Sequence, residues 1–389
     1  MAVTYHELTK TPHVLGVFNR LKASGLALSN YYGLGPNSPA TEISPKRSLV
    51  YDLFDNTRTM ARGRGPYVGP GKTAPKRMGQ ATAHAMRLYE AIPLLYERIY
   101  QGRPLGAQIG EVDATGQAYI GRQQKFMAQR FMNSIEFMVS RMFRGGFSIL
   151  VDGDDWLLRE LGAGTIDVEY PIPANHKTTC AVGGSNGSTA IFGSSTNSWD
   201  NPACPIIQQL LNLNRASERE TGYVQKHIWI NSTTYGHLLN NTQLSDVRGI
   251  ANRIFDTQSG VQIPTTDAAR EQGYTVVFGA IPQFQFHVYD AVSHVSVNVD
   301  SATASELSMY VPDNIAIITP EPAPGEWYGS VSCSEPIREN DQSEIIYPNG
   351  LHSWSYPTND PPGVEMRTLH NFAPLLYNPK ATFYATVIS

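Results

Sequence analysis

The sequence predicts an α+β fold, and three stretches of the chain carry that prediction. Residues 117–144 place apolar side chains at steps of three, four and seven, which is the period of one helix face. Residues 166–172 then alternate apolar and polar side chains with the period of a strand. From residue 205 helical and strand patterns alternate, and from residue 309 the chain is strand-rich. Helices and strands are therefore both expected.

Composition limits the classes of protein to consider. The chain has 389 residues, 41% hydrophobic and only 16% charged, with Gly 33 and Pro 26 enriched. Its length allows two or three cores. A low charge content is expected where much surface is buried against other chains. No apolar run approaches the roughly 18 residues of a membrane span and no leader pattern opens the chain, so we expect a protein that is made and stays in a cytoplasm.

Charge is unevenly distributed, although the net charge is only -4. Residues 57–87 contain seven basic residues and no acid, whereas residues 290–389 contain twelve acids against three basic residues. Such asymmetry is typical of a nucleic-acid-binding arm, or of two surfaces that meet between copies of one protein.

The first elements are an arm and a hairpin. Residues 1–45 are small and turn-rich, and we expect them to form an extended N-terminal arm. Residues 46–95 are expected to form a long hairpin with legs at 49–54 and 86–95. The stretch between the legs has few aliphatic side chains, so it buries too little apolar area to offset the entropy of ordering its backbone. We therefore expect a projecting loop that is ordered by a neighbouring molecule.

The next element is a long helix over residues 117–144, which Gly145 and Gly146 are expected to end. On periodicity alone, an amphipathic helix packed on an ordinary core is the favoured interpretation. We expect its apolar stripe to pack on a sheet. The opposite face is expected to be basic, with Glu136 as its single acid, and to point away from that sheet. The apolar stripe comprises Ile120, Met127, Phe131, Ile135, Met138 and Met142, and the basic face comprises Arg122, Lys125, Arg130, Arg141 and Arg144.

The second half of the chain predicts a compact α/β subdomain at 205–308 and a strand-rich end at 309–389, whose last strand returns to complete an earlier sheet. Asn231 or Ser232 is expected to cap the second helix of the subdomain. The expected helices are 206–214, 233–240 and 244–255, and the expected strands are 227–230, 274–278, 284–289 and segments around 309–319, 364–369 and 382–388.

Several short motifs resemble catalytic or ligand-binding motifs but lack the structural context that those motifs require. Residues 183–187 match GxSxG, but low-complexity sequence replaces the strand and helix of a nucleophile elbow. The GPGKT at 69–73 lacks the first glycine of a phosphate-binding loop, and Pro70 removes an N–H group. ARGRG at 61–65 has only Tyr67 nearby for base stacking.

Metal-ligating and acid–base clusters are also missing from the sequence. Cys180, Cys204 and Cys333 have no CxxC spacing, so free thiols are expected, and His176 beside Cys180 lacks a sensibly spaced fourth ligand. The acid pairs at 154–155 and at 335 and 339 have no accompanying histidine. We therefore predict no enzyme, no catalytic, cofactor-binding or metal-binding residue, and no cofactor.

The order of these elements resembles the Hong Kong 97-type fold of tailed-phage capsid shells, and more narrowly the lambda-type major capsid proteins. The similar residues are local. They are the passage from the long helix through Gly146 and Asp152-Gly153 into the strand at 166–172, Trp199 before the subdomain, VPDN at 311–314 before an aliphatic strand, and APLL at 373–376 before Asn378-Pro379 and a terminal strand.

That resemblance implies a structural protein with an N-terminal arm (1–45), an E-loop hairpin (46–95), a P domain (96–204) with its spine helix at 117–144, an A domain (205–308), and returning strands (309–389). In such shells the hairpin lies over a neighbouring subunit. The residues implied to make this contact are Arg58, Arg62, Arg64, Lys72, Lys76 and Arg77, and those implied to line the spine helix are Met127, Phe131, Ile135, Met138 and Met142.

The implied function is self-assembly into the icosahedral head of a tailed bacteriophage, followed by shell expansion as double-stranded DNA is packaged. The implied partners are other copies in hexamers and pentamers, portal and scaffold proteins, a possible decoration protein, and the genome without sequence-specific contact, but no membrane. The virion capsid, assembled in a bacterial cytoplasm, is the implied location. Two alternatives stay open: an encapsulin-like nanocompartment, and a nucleic-acid-binding protein that uses residues 58–87.

Overall fold

The computed structural model describes residues 27–34, 41–46, 48–54, 79–95, 114–153, 155–179, 198–244, 273–295, 306–338, 345–346, 350–359 and 362–388. The helices are α1 (Ala27–Tyr32), α2 (Ala114–Arg144), α3 (Ile206–Glu220) and α4 (Ser232–Asn240). The strands are β1 (Thr41–Ser44), β2 (Ser48–Leu53), β3 (Gly79–His84), β4 (Met86–Leu95), β5 (Gly146–Asp152), β6 (Asp155–Glu160), β7 (Ile166–Glu169), β8 (Lys177–Thr179), β9 (Gln225–Ile230), β10 (Tyr274–Val276), β11 (Gln285–Val288), β12 (Val292–Val295), β13 (Glu306–Met309), β14 (Ile315–Pro320), β15 (Gly329–Cys333), β16 (Ile337–Arg338), β17 (Ile345–Ile346), β18 (His352–Asn359), β19 (Pro362–Leu375) and β20 (Phe383–Thr386).

The chain divides into two compact units, each made of separate stretches of sequence. The first unit comprises residues 1–49, 82–139 and 329–375. The second unit comprises residues 50–81, 140–328 and 376–389.

The first unit is built on a sheet that centres on the long strand β19. β19 pairs antiparallel with β18, with β4 and, near its end, with β15. β1 adds to the edge of β15 in parallel. The segment that precedes the predicted hairpin therefore supplies an edge strand to a sheet formed mostly by residues after 329.

Helix α2 packs its apolar stripe on this sheet, as predicted. Ile120, Met127 and Phe131 are buried together with Leu94 of β4 and Met366 of β19. In addition, the Thr368 hydroxyl lies 2.6 Å from the Met127 sulfur. The stripe continues to the end of the helix, since Ile135, Met138 and Met142 are at most 1% exposed.

Two glycines end α2, also as predicted. Gly145 has φ 103° and Gly146 has φ 147°, conformations that side chains with a Cβ rarely adopt. A Cβ on Gly146 would lie only 2.4 Å from the carbonyl oxygen of Val168, so the pairing of β5 with β7 requires glycine there. The helix can therefore turn at once into the three-stranded sheet β6-β5-β7.

The second unit contains a six-stranded sheet in the order β10-β11-β9-β14-β20-β8. α3 and α4 pack on it through a core that includes Leu210, Leu238, Ile228 and Phe286. Asn231 caps α4, because its side chain accepts a hydrogen bond from the Thr234 N–H. The predicted terminal strand is β20, which lies between β14 and β8 and so completes the sheet.

The predicted hairpin legs were partly wrong. β2 pairs with β3 in a two-stranded sheet, whereas β4, the expected second leg, pairs with β19. The β3 sequence GQATAH has few apolar side chains, so its pattern did not predict a strand. In the predicted strand at 166–172, Val168, Tyr170 and Ile172 are buried, but Ile166 is 40% exposed.

Other predictions fall outside the described residues, including most of the arm, the loop at 55–78 and the helix expected beyond 244. None of the described helices is long and apolar enough to span a membrane.

Candidate functional site

A buried carboxylate joins α1 to α2 within the first unit. Glu136 is fully buried, and its two oxygens accept hydrogen bonds from the backbone N–H groups of Leu28 and Ser29, each at 2.8 Å. These N–H groups belong to the first turn of α1, where they have no partner within the helix. A negative charge at that end of a helix is also favourable. Glu136 therefore caps α1 and anchors residues 27–34 to α2.

The prediction that Glu136 shares an outward basic face was wrong. Residues 135–143 are all buried, so this part of α2 is enclosed on every side. Arg141 is also buried, at 1% exposure, and Arg144 is only partly exposed. Of the five predicted basic residues, Arg122, Lys125 and Arg130 are exposed.

Arg141 forms the centre of a polar cluster in the second unit. Burial lowers its pKa to about 9, with repulsion from Arg144 in the same direction and attraction to Glu160 opposing both. Arg144 lies 3.5 Å from the same Glu160 carboxylate. The guanidinium of Arg141 donates to the Ser140 and Ser308 hydroxyls at 3.1 and 2.6 Å, to the Tyr310 and Met309 carbonyls at 3.2 and 3.1 Å, and to Glu160.

This cluster connects two neighbouring segments of the chain with a third that lies 169 positions after Arg141. It holds the last turn of α2, the end of β6, and the end of β13 with Tyr310 around one guanidinium. Because a planar guanidinium offers five donors in fixed directions, one side chain can fix all three segments.

The face of the first-unit sheet that points away from α2 carries stacked aromatic and guanidinium groups. The Arg87 guanidinium lies 4.6 Å from the Tyr89 ring centroid, and that of Arg367 lies 4.0 Å from the Tyr356 ring. Tyr89 also stacks on Trp354 at 6.1 Å. Both arginines form ion pairs, Arg87 with Glu335 at 3.0 Å and Arg367 with Glu365 at 2.8 Å.

Two histidines in the second-unit sheet form a buried hydrogen-bonded chain. His227 Nδ1 lies 3.1 Å from His287 Nε2, and His287 Nδ1 lies 3.0 Å from the Thr275 hydroxyl. His227 Nε2 faces the Glu321 carboxylate at 3.6 Å, and Lys226 also contacts Glu321, at 2.8 Å. If the Thr275 O–H donates to His287 and His287 donates to His227, each imidazole needs one proton only.

We expect acid to destabilise the second unit through these histidines. Burial lowers the pKa of His287 to about 3, and burial also lowers the pKa of His227. His287 is therefore neutral in the fold but protonated below about pH 6.5 in the unfolded chain, so stability is lost as pH falls from 6.5 towards 3, and His227 adds to this loss in the same direction. At pH 5, His287 alone should cost about 2 kcal/mol.

Hydrogen exchange of β9 and β11 at pH 7 and pH 5 measures this loss. His287→Leu removes the titration of His287, so the variant's loss of stability between the two pH values should be smaller than that of the wild type. An unchanged pH dependence in His287→Leu would contradict the assignment.

Many sequence-predicted site residues lie outside the described part of the chain. These include Arg58, Arg62, Arg64, Lys72, Lys76 and Arg77, the GxSxG and GPGKT motifs, and Cys180. His176 is buried, stacks on Phe383 and lies 3.2 Å from Glu220. Cys204 and Cys333 are buried and are not part of a disulfide. Within the described segments, no group of three or more His, Cys, Asp or Glu side chains is placed to hold a metal ion.

Sequence reasoning missed Glu136 and Arg141 as the polar groups that fix α2. Their signal was present, because residues 135–143 are apolar around the whole helix except at Glu136, Ser140 and Arg141. Charged residues within such a stretch are buried and need partners.

Comparisons with known proteins show similarity in structure. No protein-family model and no curated protein sequence matches the chain. A crystal structure of the proposed capsid protein of a prophage from E. coli CFT073 matches with a TM-score of 0.54 at 12% identity, over 100% of both chains. A phage-related protein from Bordetella bronchiseptica RB50 matches with a TM-score of 0.48 at 9% identity, over 99% of this chain and 97% of that one.

A virus-like particle from Pyrococcus furiosus matches with a TM-score of 0.41 at 10% identity, over 96% of both chains. Of these three, the prophage protein alone exceeds a TM-score of 0.5, so the fold assignment depends on it. The similarity extends over the whole chain, from the edge strand β1 to the returning strand β20. The chain therefore has the α+β fold of the Hong Kong 97 type that its order of elements predicted.

Proposed function

We propose that this chain is the major capsid protein of a tailed double-stranded DNA bacteriophage and that copies of it assemble into the icosahedral head. The observation that carries this proposal is the whole-chain structural similarity to the prophage protein. A shell subunit is held by contacts between copies, which agrees with the low proportion of charged residues, 16%. This role needs no catalysis, cofactor or metal.

Different parts of the chain would have different structural roles in the shell. Residues 1–45 would be the arm, 46–95 would contain the E-loop, from which β4 departs to join the sheet of β19, 96–204 would be the P domain, 205–308 the A domain, and 309–389 the returning strands. Helix α2 would be the spine of the shell wall, because its stripe packs on the sheet and its C-terminal part is enclosed. The A domains would gather at the five- and six-fold axes as pentamers and hexamers.

Opposite charges would set the contact between neighbouring copies. The basic residues from Arg58 to Arg77 of one copy would lie on acid-rich surface of the next, which fixes register more than it adds affinity. A mildly acidic chain also suits a shell that holds DNA without adhering to it. A portal, a scaffold and a possible decoration protein would complete the head, which assembles in the bacterial cytoplasm and expands during packaging.

Negative-stain microscopy of the purified protein tests this function directly. We expect hollow particles of uniform size. A chain that stays monomeric at high concentration and shifts DNA in a gel would instead favour the nucleic-acid-binding alternative. Particles that enclose a protein cargo and exclude DNA would favour a nanocompartment.

Charge removal in the loop should abolish particles without unfolding the subunit. The variant carries glutamine at Arg58, Arg62, Arg64, Lys72, Lys76 and Arg77, and deletion of residues 63–76 should act in the same way. Far-UV circular dichroism should match the wild type while particles are absent or fragile. Deletion of the low-complexity residues 184–195 serves as the matched control and should preserve particles. Equally stable shells from the loop variants would refute the clamping role.

A further inference from the structure

The second unit contains a column of four buried rings that leads from its six-stranded sheet to the end of α2. His287 stacks on Trp229, with the ring centroids 4.4 Å apart. Trp229 makes an edge contact with Tyr289 at 6.3 Å, and Tyr289 stacks on Tyr310 at 5.8 Å. All four side chains are at most 5% exposed. Because a protein interior is close-packed, a ring that leaves this column removes support from the next one.

Each end of this ring column contacts polar groups. At the sheet end, His287 Nε2 lies 3.1 Å from His227 Nδ1. At the other end, the Tyr310 carbonyl accepts hydrogen bonds from the Ser140 hydroxyl at 2.7 Å and from the Arg141 guanidinium at 3.2 Å. Ser140 and Arg141 belong to the last turns of α2. The ring column therefore connects a titratable histidine pair with the polar cluster that fixes the end of α2.

Added protons disfavour the arrangement of the histidine pair. A first added proton can occupy His287 Nδ1, because the Thr275 hydroxyl, 3.0 Å away, can rotate and accept it. That proton nevertheless leaves a charge on a buried ring, which is costly. A second added proton would sit on His227 Nδ1 and place one N–H group against another. Protonation therefore favours a state in which His287 has left the pair and Trp229 has lost the ring that stacks on it.

Glu321 and Lys226 are the charged side chains beside the pair. Glu321, the residue after β14, faces His227 Nε2 at 3.6 Å, and Lys226 of β9 contacts the same carboxylate at 2.8 Å. Burial lowers the pKa of His227 although attraction to Glu321 opposes this, and burial with the neighbouring His227 lowers the pKa of His287 to about 3. Below about pH 6.5, acid therefore favours the state in which the His287 ring is released to water and carries the charge there.

We propose that the histidine pair and the Arg141 cluster are the two ends of an acid-sensitive switch, which the ring column connects. When His287 leaves the pair in acid, the ring column loosens, the Tyr310 carbonyl withdraws from Arg141, and the last turn of α2 loses an anchor. All these residues lie within residues 140–328 of the second unit. The switch therefore operates in a single subunit and does not depend on assembly into particles.

Hydrogen exchange of the full chain at pH 7 and pH 5 tests the proposal. Protection factors, which correct for the intrinsic pH dependence of exchange, should fall at least tenfold at residues 142–144 of α2 as well as in β9 and β11, and less in α3. Tyr289→Leu removes a middle ring, so β9 and β11 should keep their response while the end of α2 loses it. Tyr235→Leu is the matched control, because this buried ring packs in the core on the other face of the same sheet, and it should keep both responses.

Three results would overturn the proposal. The first is unchanged protection at residues 142–144 of the wild type while β9 and β11 lose theirs, and the second is a response of α2 that Tyr289→Leu retains. The third is an equal loss in α3, which would mean that acid unfolds the whole unit instead of acting through the ring column. The first and third results come from the wild type alone, so they decide the question even if a variant does not fold.

Discussion

Replacing Glu136 with leucine is expected to release residues 27–34 from α2 while the remainder of the first unit stays folded. The N–H groups of Leu28 and Ser29 would lose their acceptor in a buried position. Each of the two unsatisfied buried donors costs about 1 to 3 kcal/mol, so local stability should fall by about 2 to 6 kcal/mol. Hydrogen exchange at these two amides measures the loss.

Two companion variants identify the cause of that loss. Glu136→Gln keeps the side-chain shape and one acceptor oxygen, but its NH₂ group faces a backbone donor, so we expect an intermediate loss of protection. Gln123→Leu adds an apolar side chain elsewhere on α2 and should leave both amides protected. Wild-type protection in Glu136→Leu would show that apolar packing of α1 is sufficient without the carboxylate.

Removing the charge of Glu160 is expected to destabilise the end of α2. Glu160→Gln leaves the Arg141 guanidinium buried without its carboxylate and beside Arg144. Breaking a fully buried ion pair costs roughly 3 to 5 kcal/mol. Because Glu160 is 46% exposed, water screens part of the effect, and we expect about 2 to 3 kcal/mol. Thermal and denaturant unfolding of the variant measure this value.

A double-mutant cycle separates the ion pair from the rest of the cluster. Arg141→Met removes the buried charge, so the further change Glu160→Gln should then cost much less than it does alone. Additive losses in the double variant would contradict a direct coupling between the two side chains. Arg159→Gln, at the neighbouring position of β6, is the control for a charge change on that strand.

The sequence predicted elements that local patterns specify. The stripe from Ile120 to Met142, the glycine stop at Gly145 and the Asn231 cap depend on residues a few positions apart, and all three are present. β3 escaped prediction because GQATAH lacks alternating apolar residues. Pairings such as β1 with β15 could not be predicted, since nothing in a four-residue strand identifies a partner 289 positions away.

In the candidate site, too, the sequence predicted local features but not those that depend on tertiary structure. A helical projection assumes one buried side, and it correctly identified Arg122, Lys125 and Arg130 as exposed. It failed for Glu136 and Arg141, because segments distant in sequence enclose that part of α2 on all sides. The covering segments, and with them the hydrogen bonds of both charges, are determined by tertiary structure.

The position of β20 has a consequence for biosynthesis. This strand, residues 383–386, lies inside the second-unit sheet between β14 and β8, and β19, residues 362–375, is the central strand of the first. Neither sheet can be completed until these late residues have left the ribosome. Their partner strands β4 and β8 lie hundreds of positions earlier in the chain. Pairing over such distances slows folding and leaves strand edges exposed in the meantime. Nascent chains should therefore need protection from premature association, and truncation before residue 383 should leave the second unit unable to fold.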